Sequence, residues 1–213
     1  MQNLTPYFVE NMLPALISSG ILSYLFSVSF SKFRSKKQTA AHLKYISMRL
    51  DITASYLKLF KNEKNKLKKK CAPIKEVRQA ETLLTQFMPL LTPLNSLYYK
   101  VEPDVYVSIT SSMSQNKSVA RLMLGQHNFF QHLIEVEIEY LKFMDLIETL
   151  HRSLEYWYKE ETSNMSQKEF DQLTVKTAEE ITGRFDDLDL FIQGLSEKIT
   201  TVRNKGLQLE RAI

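Results

Sequence analysis

Residues 116–157 read NKSVARLMLGQHNFFQHLIEVEIEYLKFMDLIETLHRSLEYW. Val119, Leu122, Phe129, Leu133, Val136, Tyr140, Phe143, Ile147, Leu150, Leu154 and Trp157 follow one another at steps of three and four, apart from one slot. With 3.6 residues per turn, that spacing keeps one face of an α-helix apolar, whereas a strand would alternate by two. Gln126 fills the odd slot on the seam. A polar residue there can set register or oligomeric state at some cost in stability.

Working outward toward the C-terminus, Ser166 and Glu169 have the spacing of a capping box, with Met165 and Phe170 placed as a hydrophobic staple. A second seam follows through Leu173, Thr177, Ile181, Leu188, Ile192, Leu195, Ile199, Val202 and Leu209. The two steps of four from Thr177 to Phe185 have the form of a stutter. Gly183, Gly194 and Gly206 interrupt the helical run, and tight packing or bending would account for them. Two long helices joined across residues 160–165 predict an antiparallel hairpin of elongated shape.

Working outward toward the N-terminus, Leu43, Ile46, Leu50, Thr53, Leu57, Phe60 and Leu67 predict a further helix over residues 38–70, with Lys64 in the remaining seam slot. Pro73 is expected to open the next helix and Pro89 and Pro93 to break or kink it. The β-branched run 105–110 has no second strand to pair with and reads as a loop or short helix. Only five glycines and six prolines occur in 213 residues, which favours long helices over turn-rich β structure.

Residues 11–31, NMLPALISSGILSYLFSVSFS, contain no charge. As a helix they would span about 30 Å, the thickness of a bilayer's hydrocarbon core. Lys32, Arg34, Lys36 and Lys37 follow at once, and no Lys or Arg precedes. The expectation is a single transmembrane helix in the inner or plasma membrane, N-terminus outside and the rest cytoplasmic, with the basic cluster on the anionic inner leaflet. Ala15, Ser19, Ser23, Ser27 and Ser31 recur every four residues, a small-residue stripe of the kind that lets membrane helices pack closely. A lone anchor and a buried core helix are the competing readings. The chain thus divides into an anchor with its basic segment, residues 1–37, and a coiled-coil-like helical domain, residues 38–213. The fold class is mostly α.

Charge is uneven: residues 32–78 carry fifteen Lys or Arg against three acids, while residues 79–213 carry thirteen against twenty. The two parts can attract each other, or the first can meet an acidic surface. Lys61, Lys64, Lys66, Lys68, Lys69 and Lys70 form a candidate basic interaction patch. Nucleic acid is disfavoured as its partner, because no reading motif occurs and aromatic interleaving is confined to Tyr56 and Phe60.

Catalytic signatures are missing from the sequence. No phosphate loop, nucleophile elbow or His-Glu-x-x-His motif occurs. Glu148 and His151 make one Glu-x-x-His pair where a di-iron bundle needs two, and both lie off the seam. No metal or other cofactor is implied. Cys71, the lone cysteine, follows three lysines that would lower its pKa if it were exposed. The expected function is a membrane-anchored, non-enzymatic scaffold or adaptor. Its helices would bind a protein partner and its anchor would form homo-oligomers. The alternative is a membrane-acting effector, an oligomeric pore or membrane-disrupting protein controlled by the helical domain.

Overall fold

The computed structural model describes the backbone of residues 13–96, 102–125, 129–159 and 164–213, and their side chains apart from residues 13–19, 95, 96 and 125. Seven helices and no strand occur among the described residues: α1 (Leu13–Cys71), α2 (Val77–Ser96), α3 (Pro103–Gln115), α4 (Lys117–Gly125), α5 (Phe129–Tyr158), α6 (Gln167–Gly183) and α7 (Phe185–Ala212).

They form a four-legged, up-down-up-down bundle. Helix α1 is the first leg. The chain turns at residues 72–76 and descends as α2, then α3, along α1. Lys70 donates to Gln86 at 3.4 Å near the top, and Gln38 donates to Ser108 at 2.8 Å near the bottom. Helix α4 reverses the chain and α5 climbs as the third leg. Helices α6 and α7 descend as the fourth, with Lys198 on Glu139 at 3.1 Å and Arg203 on Asp51 at 2.9 Å. The expected hairpin is therefore α5 against α6 and α7, and α1 and α2 complete the core around it.

Every seam residue from Phe129 to Trp157 is buried. Each leg contributes one phenylalanine to a central layer. Phe60 stands 6.2 Å from Phe87 and 6.3 Å from Phe143 between ring centroids, and Phe87 stands 5.3 Å from Phe185. Tilted and edge-on rings at these distances attract beyond their burial.

Several expectations change. Helix α1 runs unbroken for 59 residues through the boundary drawn between residues 37 and 38, because the intervening Lys32, Arg34, Lys36 and Lys37 are all good helix formers. Pro73 lies in the turn before α2, not in its first turn. Pro89 and Pro93 sit inside α2 on its exposed side, where water can satisfy the carbonyls their missing N–H groups leave free. The run 105–110 is helical, opened by Pro103 in the first turn and Asp104 at the positive end of the dipole. The seam of 116–157 is shared between α4 and α5, and Gln126 lies outside the described residues. The stutter after Thr177 coincides with the α6–α7 boundary at Arg184, whose N–H bonds back to Glu180 and Ile181.

Among the described residues no helix is long and apolar enough to cross a membrane. Ser23, Tyr24, Ser27, Ser29 and Ser31 dilute the apolar stretch, and Lys32 and Arg34 end it. The expected span begins at residue 11, and its side chains before Gly20 lie outside the described set.

Candidate functional site

Helix α1 outlasts its neighbours. Helix α3 ends beside Ser35, whose hydroxyl donates to the Ser112 carbonyl at 3.3 Å. Helix α7 runs out beside Lys36, whose ammonium donates to the Ile213 carbonyl at 3.3 Å. Beyond this level, among the described residues, an arm of roughly 22 residues, about 33 Å long, projects alone. From Gly20 to Arg34 none of its side chains is buried. Ile21, Leu22, Leu25, Phe26, Phe30 and Phe33 are all exposed, Phe26 by 73%. Ile21 and Leu25 continue the side of α1 that faces the core further along, while Phe26, Phe30 and Phe33 lie on the opposite side. Exposed apolar side chains on two opposite sides of one helix are suited to burial in lipid or protein, and the exposed Ser23, Ser27 and Ser31 form a polar strip between them. Lys32, Arg34 and Lys37 are exposed and Lys36 half-buried where the arm meets the bundle.

Of the small-residue stripe, Ser23, Ser27 and Ser31 are exposed on the arm, and the side chains of Ala15 and Ser19 are outside the described set. The four-residue spacing continues into the bundle as Ser35 and Thr39, which are 3% and 0% exposed. Thr39 donates to the Ser35 carbonyl at 2.9 Å. Sequence reasoning ended the stripe at Ser31 and missed this hydroxyl layer, which the same spacing reveals. A groove lined by Ser27, Phe30, Ser31, Arg34, Gln38 and Gln115 lies at the junction. Gln115 comes from the end of α3, and no local pattern announces it.

No family model matches the chain, and none of the curated proteins or solved structures does. The functional reading therefore rests on the geometry alone.

The lysine run does not form one free patch. Lys64 is 0% exposed and sits in the core, its ammonium 2.7 Å from Asp189 Oδ2, 3.3 Å from the Phe185 carbonyl and 5.2 Å from the Phe185 ring centroid. Lys61 stands 3.9 Å from Asp189 Oδ1, close enough to attract it but too far for a hydrogen bond. Lys68 pairs with Asp186 at 3.0 Å and Lys66 with Glu63 at 2.7 Å. Lys70 donates to Gln86, and Lys69 is exposed. Three of these lysines, Lys61, Lys64 and Lys68, thus meet acids of α7 within the chain.

The remaining chemical candidates resolve into structural pairs. Glu148 pairs with Arg152, and His151 stands 3.4 Å from Glu155. Among the described residues no group of three or more His, Cys, Asp or Glu could hold a metal ion. Cys71 is buried, and burial pushes its thiol up, against the smaller lowering pull of Lys70. A thiol held protonated is a poor nucleophile. Burial, with the Glu137 carboxylate nearby, also pushes Tyr106 up to about 12. Glu135 is held low by hydrogen bonds from His132 and Gln131, and Glu139 by one from Lys198.

Proposed function

We propose that this chain is a membrane-attached, non-enzymatic adaptor whose α1 arm enters the bilayer and whose helical bundle binds a protein partner. One observation carries the reading. The arm projects beyond the bundle by about the thickness of a bilayer's hydrocarbon core, exposes Ile21, Leu22, Leu25, Phe26, Phe30 and Phe33, and ends at Lys32, Arg34, Lys36 and Lys37. Left in water, its exposed side chains would form an apolar patch larger than soluble monomers normally carry. The basic collar favours an orientation with the bundle on the cytoplasmic side of the inner or plasma membrane, against anionic lipid. On the bundle, Met48, Ile52 and Leu59 of α1 and Ile134, Ile138 and Leu141 of α5 are exposed, and these two apolar stripes are the faces offered to a partner.

The test is flotation of the full chain with neutral phosphatidylcholine vesicles. The wild type is expected to float, and a variant with Leu22, Phe26 and Phe30 changed to Ser to remain at the bottom. Wild-type protein that stays with the soluble fraction would refute the reading.

A second reading, an oligomeric membrane effector, draws on the exposed hydroxyls of Ser23, Ser27 and Ser31. Under it, substitution of leucine at Ser19, Ser23 and Ser27 abolishes dye release from loaded vesicles. A simple anchor tolerates the same changes.

A further inference from the structure

Resting on the membrane-attached reading, we propose that the groove at the junction of arm and bundle seats the phosphate of an anionic phospholipid headgroup, with Arg34 as its charged partner. The groove is lined by Ser27, Ser31, Arg34 and Gln38 from α1, Gln115 from α3, and the Phe30 ring. Ser27, Ser31, Arg34 and Gln38 are spaced by four, three and four, so they share one side of α1, while the buried Ser35 hydroxyl at the groove's edge already donates to the Ser112 carbonyl. No carboxylate lines the groove.

Gln38 donates to Ser108, but three further donors are uncommitted. Elsewhere on α1, Thr39, Thr53 and Ser55 each donate to the carbonyl four residues back, at 2.8–3.0 Å. The side chains of Ser27, Ser31 and Arg34 make no hydrogen bond among the described residues. A phosphodiester presents acceptors only and carries one negative charge. It matches two free hydroxyls and a guanidinium whose fork can bind two oxygens at once. The negative end of α3 lies nearby and works against an anion, so the attraction rests on the Arg34 guanidinium. The position is also right for a headgroup, one turn below Phe30 and level with the basic collar, where an acyl chain can run along the arm.

Inorganic phosphate shares this chemistry, so the test separates the two sources. Purified full-length protein in a mild nonionic detergent is titrated with short-chain phosphatidylglycerol, short-chain phosphatidylcholine and inorganic phosphate, and bound molecules are counted by native mass spectrometry. The wild type is expected to hold phosphatidylglycerol in preference to the other two. Arg34→Gln should weaken that binding about tenfold, the value of one charge-assisted contact. Lys69→Gln, the same charge change on the exposed far end of α1, should leave it unchanged. Equal weakening by both variants, or displacement of the lipid by equimolar inorganic phosphate, overturns the proposal. Arg34→Gln should still float with neutral vesicles, so failure of the groove and failure of the arm are read in separate experiments.

Discussion

Replacing Asp189 by Asn should destabilise the bundle by about 3 kcal/mol, whereas replacing Lys64 by Met should cost less than about 1 kcal/mol. The two side chains form one ion pair, but their surroundings differ. Lys64 is 0% exposed, while the Asp189 side chain is 33% exposed. At 2.7 Å and an effective dielectric constant near 20, their attraction is about 6 kcal/mol. Dehydrating the ammonium costs several kcal/mol, so the pair is close to balanced against an apolar residue. Methionine removes both contributions, fills an apolar slot, and leaves Asp189 with water and with Lys61 at 3.9 Å. Asparagine removes the attraction alone. The buried ammonium then keeps the Phe185 carbonyl at 3.3 Å and the Phe185 ring, which do not offset its dehydration. The double variant should recover most of the loss, giving a coupling energy above about 1 kcal/mol. The assay is urea unfolding of the full chain in mild detergent, followed by far-ultraviolet ellipticity. A Lys64→Met variant less stable than Asp189→Asn, or additive effects, would refute the reasoning.

Four further outcomes follow from local geometry. A Cβ at Gly194 would meet nothing within 4 Å, so Gly194→Ala should raise stability by about 0.5–1 kcal/mol in the same unfolding assay. At Gly206 it would touch Phe129 at 3.5 Å and Ser47 at 3.6 Å, ordinary contact, so Gly206→Ala should fold with a smaller gain. Ser166→Ala removes the acceptor for the Glu169 N–H and should cost about 1 kcal/mol by thermal unfolding. The carboxyls of Glu169 and Glu139 are held below the usual range, the first by the Ser166 hydroxyl and backbone, the second by Lys198. Their contribution is complete above the unfolded carboxylate pKa, about 4.3, and is lost as pH falls through the lower folded values. Thermal scans of Glu139→Gln should therefore show a weaker acid-side decline than wild type.

The parts of the fold written in local spacing were legible. Every three-four seam position from Phe129 to Trp157 is buried, and the Ser166–Glu169 box forms as read. What escaped depends on partners far along the chain. Lys64 stood in a seam slot, but its counterion is 125 residues away and comes from an acidic run that otherwise resembles a solvated face. The helix boundary after Lys37 was drawn from a change in charge, and a change in charge does not interrupt a backbone ladder made by good helix formers. Val105 and Ile109 are β-branched, yet tertiary burial on α1 outweighs their weak local preference for strand. At the site, the apolar arm and its basic collar were legible from composition. The groove was not, because Gln115 reaches it only through the packing of α3 on α1.

The small-residue stripe links arm and bundle, and its geometry limits how it can act. A spacing of four residues advances about 40° per step around an α-helix, so the line from Ala15 to Thr39 winds around α1 instead of running straight along it. Among the described side chains it starts at Ser23, on the side of α1 away from the core, and arrives on the core side at Ser35 and Thr39, where α3 comes close enough for the Ser35 hydroxyl to reach the Ser112 carbonyl. Within the bundle, then, these small side chains permit close approach of a helix that runs antiparallel to α1. On the arm, a straight partner helix can follow a winding line only by crossing α1 at an angle, as small-residue membrane contacts commonly do. Two or three serines meet at such a crossing and the rest are left free. Ser23 and Arg34, eleven residues apart, lie only about 20° apart around α1 but about 16 Å apart along it, so a helix crossing at Ser23 and a headgroup at Ser31 and Arg34 use one side of the arm at different heights.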